Sequence, residues 1–470
     1  MTASKPEDPD RPPKHLYIGA INPFALCEAI LGRKLDWRDP ATANIMSSIL
    51  QTDYEELFDM RFRSILYAGI QLNDRGDMAE LIPAKDMHTL TERDLVTPDF
   101  SKVEKLGDLD HVGLKDINAI KVKHAFMSNG NLRLTLQPQS LGKTICSSEM
   151  TTTLRELATP FRIHKKEEWV PPNSTWTDIG ESCYRQHTTT MFSNPVQGAT
   201  SNSWLIAAMM AVAWSDPSAI CHHHHDRGGK RESRCSLSVR FHSKGGDNDA
   251  PTSTVTVNCE VPTNNSSSLP VYCRPSSMMM MTRGWAAGGE IWPCLYEKAF
   301  AKWIIQGKGG SDSESGPESE HPDLTQTCYG DPVKCAAQLT GKEPQYFFTS
   351  HRRAQDLLGL VRTHCFNLRT IYPFVAFTHP TGDKFRGCTL VANMAYTVLG
   401  WAAPQERKQY IILRHPWGVT EPEGMTGYPG LVSCVDVKFW PPVELVDGRG
   451  VFAIETSAFK EYFAGMGVAK

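Results

Sequence analysis

Ser203 stands where a side chain could do chemistry. Gln197-Gly198-Ala199-Thr200-Ser201-Asn202 reads as a Gln-Gly turn and a polar loop, and Ser203-Trp204 then runs straight into the apolar Leu205-Ile206-Ala207-Ala208. A nucleophile at a helix N-terminus meets the first-turn N–H groups and the positive end of the helix dipole, which favour a developing negative charge. An alcohol there still needs a general base, because without one it keeps its high pKa and attacks poorly near neutrality. Leu205, Ala208, Met209 and Val212 recur at i, i+3, i+4 and i+7. That spacing predicts a buried central helix stopping before Pro217.

Further stretches follow in order. They are Gly289-Glu290-Ile291-Trp292-Pro293-Cys294-Leu295-Tyr296-Glu297-Lys298-Ala299-Phe300-Ala301-Lys302, Cys335-Ala336-Ala337-Gln338-Leu339-Thr340-Gly341, Asn393-Met394-Ala395-Tyr396-Thr397-Val398-Leu399-Gly400 and Leu413-Arg414-His415-Pro416-Trp417-Gly418. With the Ser203 loop, and with Trp169-Val170-Pro171-Pro172 before it, they resemble the motif series of the calpain family of papain-fold cysteine proteases. The family patterns are Q-G-x-x-x-x-C-W-x-x-A-A, E-x-W-x-x-L-L-E-K-A-Y-A-K, A-L-x-D-L-T-G-G, G-H-A-Y-S-V-x-G and L-R-N-P-W-G.

The resemblance puts the family's Cys, His and Asn on Ser203, Met394 and His415. A papain-type triad needs a thiolate, an imidazole that takes and returns the proton, and an amide that orients the imidazole. Methionine cannot exchange a proton. His415 would have to reach past Met394 to meet Ser203, since the family's Asn lies behind its His. The three changes predict no ordinary peptidase activity. The resemblance also implies what is kept: Gln197 and the Ser203 N–H as oxyanion-hole donors, with Trp204 and Trp417 beside them. Two fixed donors in a water-poor cleft could polarise a carbonyl, and preorganised donors of this kind contribute about 3 kcal/mol to a transition state. Met394 would add a soft apolar wall.

Three functions are expected from that cleft. The first is non-covalent cyclisation, isomerisation or pericyclic chemistry on a small molecule carrying a carbonyl. Gln197, Ser203 and His415 would act on it and Trp204, Met394 and Trp417 would bind it. The second is a pseudoprotease holding a peptide or protein partner. The third is residual peptidase activity. No cofactor or metal is expected. Val257-Asn258-Cys259-Glu260-Val261-Pro262 has lost most of the family's acidic pair, and Asn202 replaces the Asp before the nucleophile, so calcium binding is not carried over.

The chain of 470 residues has 40% hydrophobic and 21% charged residues and a formal net charge of −3, an ordinary globular balance without the basic excess of a nucleic-acid binder. Thirteen cysteines without a C-x-x-C pair, a polar start and no long apolar run suggest an intracellular, cytoplasmic chain with reduced thiols and no membrane span.

The fold class expected is α+β: a papain-like two-lobed calpain core, helical lobe plus antiparallel β lobe, after an N-terminal α+β region. The divisions are a disordered tail over 1–13, an N-terminal region over 14–165, the helical lobe over 166–345 and the β lobe over 346–470. Helices are expected at Asn44–Leu50 and Tyr54–Phe62, and strands at Leu132–Leu136, Ser236–Phe241 and Thr254–Val257. The β lobe should carry strands at Tyr372–Phe377, Cys388–Leu399, Gln409–Arg414, Val435–Phe439 and Val451–Ile454, then a helix at Ser457–Phe463. The runs His222–His225 and Met278–Met281 and the polar stretch Gly307–Pro322 read as loops.

Overall fold

A computed structural model describes residues 18–19, 41, 69–72, 79–82, 120–128, 131–138, 163–165, 168–169, 174–179, 195–200, 202–221, 236–242, 252–265, 268–275, 291–307, 320–322, 324–327, 330–379, 390–391, 394–405, 408–418, 430–446 and 448–470. The helices expected at Asn44–Leu50 and Tyr54–Phe62, the tail over 1–13, and the His222–His225 and Met278–Met281 runs lie outside these residues. So does most of Gly307–Pro322.

The first part contributes antiparallel pairs: β1 (Gly69–Leu72) with β2 (Ala79–Ile82), β3 (Ile120–Ser128) with β4 (Asn131–Pro138), and β5 (Ile163–Lys165) with β6 (Glu168–Trp169). The alternation at Leu132–Leu136 falls inside β4. The segment expected to stand apart also reaches the rest of the molecule, because Ile18 and Gly330 exchange backbone bonds of 3.0 and 3.2 Å and Ile18 is buried in the core.

The organising element is α1 (Ser203–Ser215). Its sequence is apolar on every side, and every residue from Ser203 to Trp214 is buried. A helix hydrophobic all round belongs in a core, so the expected single stripe understates it. Pro217 begins the next helix, α2 (Pro217–Cys221), at the first-turn position where proline's missing N–H does no harm.

Around α1 lie β7 (Ser174–Asp178), β8 (Pro195–Val196), β9 (Ser236–His242), β10 (Thr252–Asn258), β11 (Glu260–Asn264) and β12 (Arg274–Pro275). These strands pair β9 with β10, β7 with β11 and β8 with β12. The helices α3 (Trp292–Gly307) and α4 (Pro332–Thr340) complete this side. Asp331 caps α4, accepting from Val333 N at 2.9 Å and Lys334 N at 3.1 Å, and Gly341 ends it in the left-handed region.

The other side is a nine-stranded sheet. Its strands are β13 (Pro344–Phe348), β14 (Cys365–Phe366), β15 (Arg369–Thr370), β16 (Phe374–Thr378), β17 (Ala395–Gln405), β18 (Lys408–Arg414), β19 (Leu431–Val432), β20 (Val451–Glu455) and β21 (Phe463–Ala469). Their order is β13-β21-β16-β17-β18-β20-β19, with the β14–β15 hairpin joined to β17, and every pairing is antiparallel. Helices α5 (Ala354–Thr363) and α6 (Thr456–Tyr462) accompany it. The sheet thus begins at Pro344.

Val435–Phe439, expected as a strand, is a turn. The Asp436 carbonyl accepts from Phe439 N and Trp440 N, and its carboxylate takes Phe439 N at 2.8 Å, so a local side-chain bond competes successfully with a ladder. Of the strand expected over Cys388–Leu399, the described Leu390, Val391 and Met394 lie outside any strand and β17 begins at Ala395; Cys388, Thr389, Ala392 and Asn393 lie outside the described residues. The α1 helix lies against the sheet: Thr397 Oγ1 donates to Ala207 O at 2.8 Å and Trp214 Nε1 to Leu399 O at 3.0 Å. The architecture is a mixed α+β fold with a multi-stranded sheet and several helices, consistent with a papain-like fold. Among the described residues no helix is long and apolar enough to cross a membrane.

Candidate functional site

Ser203 is the first residue of α1 and is fully buried. The loop before it is set by backbone contact. Ala199 N donates to Val271 O at 3.0 Å, and a Cβ on Gly198 would stand 1.9 Å from Tyr272 O. Only glycine fits so close an approach, which explains the Gln-Gly turn. The Ser203 hydroxyl oxygen accepts a 3.2 Å bond from Ala395 N, next to Met394. That N–H fixes the hydroxyl in place, but it is a donor and cannot take the hydroxyl's proton.

Met394 is where the resemblance puts the imidazole. Its backbone is held by Thr378, whose N donates to Met394 O at 3.0 Å and whose Oγ1 accepts from Met394 N at 3.1 Å. The Met394 side chain is fully buried in the apolar cluster with Tyr396, Trp417 and Phe463.

His415 is buried against the rings of Tyr396 and Trp417, with centroids 5.2 and 4.8 Å away. Its Nδ1 accepts from Trp417 N at 3.1 Å, so the neutral ring carries its hydrogen on Nε2. Burial, and then the neighbouring Arg414 charge, press its pKa down to about 3. The one lone pair that could take a proton is therefore occupied and weakly basic.

Gln197 is clamped from both ends. Trp417 Nε1 donates to Gln197 Oε1 at 3.0 Å, and Gln197 Nε2 donates to Thr200 O at 2.8 Å. Its backbone N donates to Pro416 O at 2.8 Å, and Arg414 Nη1 reaches Pro195 O at 2.9 Å. The Leu413–Gly418 stretch thus wraps the Gln197 loop and brings Gln197, His415 and Trp417 together. Trp204 lies elsewhere. Its Nε1 donates to Thr327 O at 2.9 Å, its ring meets Phe300 edge-on, and Gly330 lies so close that a Cβ would stand 2.6 Å from it. That environment makes Trp204 a core residue rather than a wall for a bound molecule.

Asn202 and Glu297 carry a network to which sequence reasoning gave no role. Asn202 precedes α1, and its side chain does not cap the helix. Asn202 Nδ2 donates instead to Glu297 Oε1 at 2.5 Å and Thr327 Oγ1 at 3.1 Å. The other oxygen of Glu297 takes Cys273 N at 2.8 Å. Burial raises the Glu297 carboxyl to about 7 against the lowering effect of these bonds.

The next residue, Lys298, faces a different set. It donates to Asn258 O at 3.3 Å, to Asn258 Oδ1 and to Glu260 O at 2.8 Å, and burial lowers its pKa to about 7. Adjacent Glu and Lys in an otherwise apolar run were the available signal, since charged residues stay buried only when hydrogen-bonded.

No protein-family model matches the chain. The chain is 25% identical over 462 residues to a thiol protease of Porphyromonas gingivalis, across 95% of this chain and 86% of that protein. That similarity and the α+β architecture together fit the broad class of papain-like cysteine-protease scaffolds.

Proposed function

We propose that this chain is a pseudoprotease: a two-lobed, calpain-like scaffold that holds a peptide segment of a partner protein without cutting it. The observation that carries this reading is the state of His415. Its basic nitrogen accepts the Trp417 N–H, and burial keeps the ring neutral across the physiological range. Met394 offers no proton acceptor, and Ser203 is left as an alcohol bonded to Ala395 N. The extent of the similarity, nearly the whole chain rather than the motif region, supports a retained scaffold. A small-molecule cyclase or isomerase would draw on Gln197 to grip a carbonyl. That amide already spans Trp417 and Thr200, so this reading has less behind it.

The test uses the full chain, a fluorophosphonate probe and a peptide library carrying a photoreactive residue. The expected result is no labelling of Ser203, no cleaved peptide, and crosslinks that map around Gln197–Ser203 and His415–Trp417. Hydrolysis abolished by Ser203→Ala would overturn the proposal, as would crosslinks distributed away from these segments. The triple change Ser203→Cys, Met394→His, His415→Asn is expected to create measurable peptidase activity where the natural chain has none.

A further inference from the structure

Asn202 donates both side-chain bonds and leaves its acceptor unused: Oδ1 is buried and has no hydrogen-bond partner among the described residues. Its main partner, Glu297, is itself fully enclosed and receives only neutral donors, Asn202 Nδ2 and Cys273 N, among the described residues. An ionised carboxylate suits this arrangement, because all its lone-pair contacts are N–H groups. A protonated carboxyl does not, since its O–H would point at an N–H. The same two residues have a second arrangement. If the Asn202 amide turns by half a rotation about its terminal bond, Oδ1 faces Glu297 and accepts that O–H. Oδ1 then also faces Thr327 Oγ1, whose hydrogen is given to Leu324 O at 2.8 Å, so the bond from Asn202 to Thr327 is lost, and Nδ2 takes the buried place where Oδ1 has no partner among the described residues.

We propose that Glu297 is a proton-operated positioning residue: its ionised form, acting through Asn202, ties the start of the Ser203 helix to the Thr327 turn, and its protonated form releases that tie. The proton comes from solvent and no other bond is made or broken. This inference does not rest on the pseudoprotease reading.

The charged and titratable surroundings leave Glu297 as the group that changes. On its own helix Cys294 faces it, and Cys273 faces it from beside β12. Both thiols are pushed far up, by burial first and by Glu297 itself second, and stay neutral. The loop of Asn202 and the turn of Thr327 present only neutral groups in these bonds. Lys298 is bound to Asn258 and Glu260 and does not neutralise Glu297. Burial places the Glu297 transition near neutrality, where it can operate.

The tie has a consequence beyond one bond. The Thr327 turn (Leu324–Thr327) also receives Trp204 Nε1, so the turn holds the residues on both sides of Ser203.

Two measurements on the full chain test this. The infrared difference spectrum between pH 6 and pH 8 should contain a protonated-carboxyl band that is missing in Glu297→Gln. Hydrogen exchange over residues 324–327, corrected for the intrinsic pH effect, should be several-fold slower at pH 8 than at pH 6 in the natural chain. It should be unchanged with pH in Glu297→Gln, whose amide mimics the protonated acid. Should that variant not fold, Asn202→Ala serves: it should keep the carboxyl band and lose the pH-dependent protection. A natural chain without the band, or with equal protection at both pH values, overturns the proposal. So does a variant, Glu297→Gln or Asn202→Ala, that keeps the pH-dependent protection.

Discussion

His415 and Glu297 bury opposite preferences. The folded protein keeps His415 neutral down to about pH 3, whereas an unfolded His protonates near its ordinary 6.5. For a base whose folded pKa is depressed, stability is full above the unfolded value and falls as pH drops from 6.5 toward 3. The loss is on the order of 5 kcal/mol. Glu297 runs the other way: its folded pKa is raised from 4.5 to about 7, so the stability it contributes at pH 4.5 is lost as pH rises to 7. That loss is about 3 kcal/mol.

Replacing Glu297 by Gln should therefore change stability relative to the natural chain in a pH-dependent way. Denaturant melts at pH 4.5, 6 and 8 should show the variant gaining about 3 kcal/mol on the natural chain between the first and last. A constant difference would mean that Glu297 does not bind a proton in this range. For His415 the matching observation is its ring proton in the NMR spectrum, which should not shift between pH 5 and 8 if the nitrogen lone pair is occupied. These two residues also divide what was legible. Met394 and His415 stood out because, in the motifs the sequence resembles, they stand where a proton-transferring imidazole and an orienting amide are expected. Glu297 sat inside a motif that matched, and its role depends on Asn202 and Cys273, which only folding brings to it.

At the scale of elements, the turns and caps around α1 carry the site. Gly198 packs its α-carbon against the Tyr272 carbonyl, so Gly198→Ala must push the Gln197 loop away from residues 271–272. The expected cost is at least 3 kcal/mol, measured by chemical denaturation, since backbone rather than a movable side chain stands in the way. A smaller cap is at stake in α4. Asp331→Ala removes two helix N-cap bonds and leaves the Tyr346 hydroxyl, 2.7 Å from the lost carboxylate, without that acceptor. A loss of about 2 kcal/mol is expected. A melt within 0.5 kcal/mol of the natural chain would show that the loop is held by packing alone.

The sequence revealed α1, the pair at 236–242 and 252–258, and the strands of the sheet that are continuous apolar runs. It did not reveal β21, because Phe463-Ala464-Gly465-Met466-Gly467 has two glycines where strand propensity is low and packing supplies the preference. Val435–Phe439 failed for the opposite reason. Its apolar residues suit a strand, and one aspartate makes the turn instead.

At the scale of the whole molecule, β21 joins strands that lie well before it in sequence. β21 lies between β13 and β16, with Phe347 opposite Met466 on one side and Val375 opposite Gly467 on the other. Phe463, Met466 and Val468 are buried in the cluster that holds Met394, while Ala469 is buried in the cluster around α1. Ending the chain at Tyr462 would remove a ladder from each neighbouring strand, leave β13 without its partner and β16 as a bare edge, and expose both clusters. Edge strands left unpaired invite association with other chains. The truncated protein should therefore lack a cooperative thermal transition and collect as aggregate, read by calorimetry and light scattering beside the full chain. A soluble 1–462 chain melting within a few degrees of the full one would mean that β13 and β16 can pair directly, and that the sheet's order is less fixed than its registers imply. The same dependence explains why the Ser203 site cannot be carved out as a short fragment. Ala395 N, which holds the Ser203 hydroxyl, begins the strand that β16 aligns, and β16 is aligned in turn by β21.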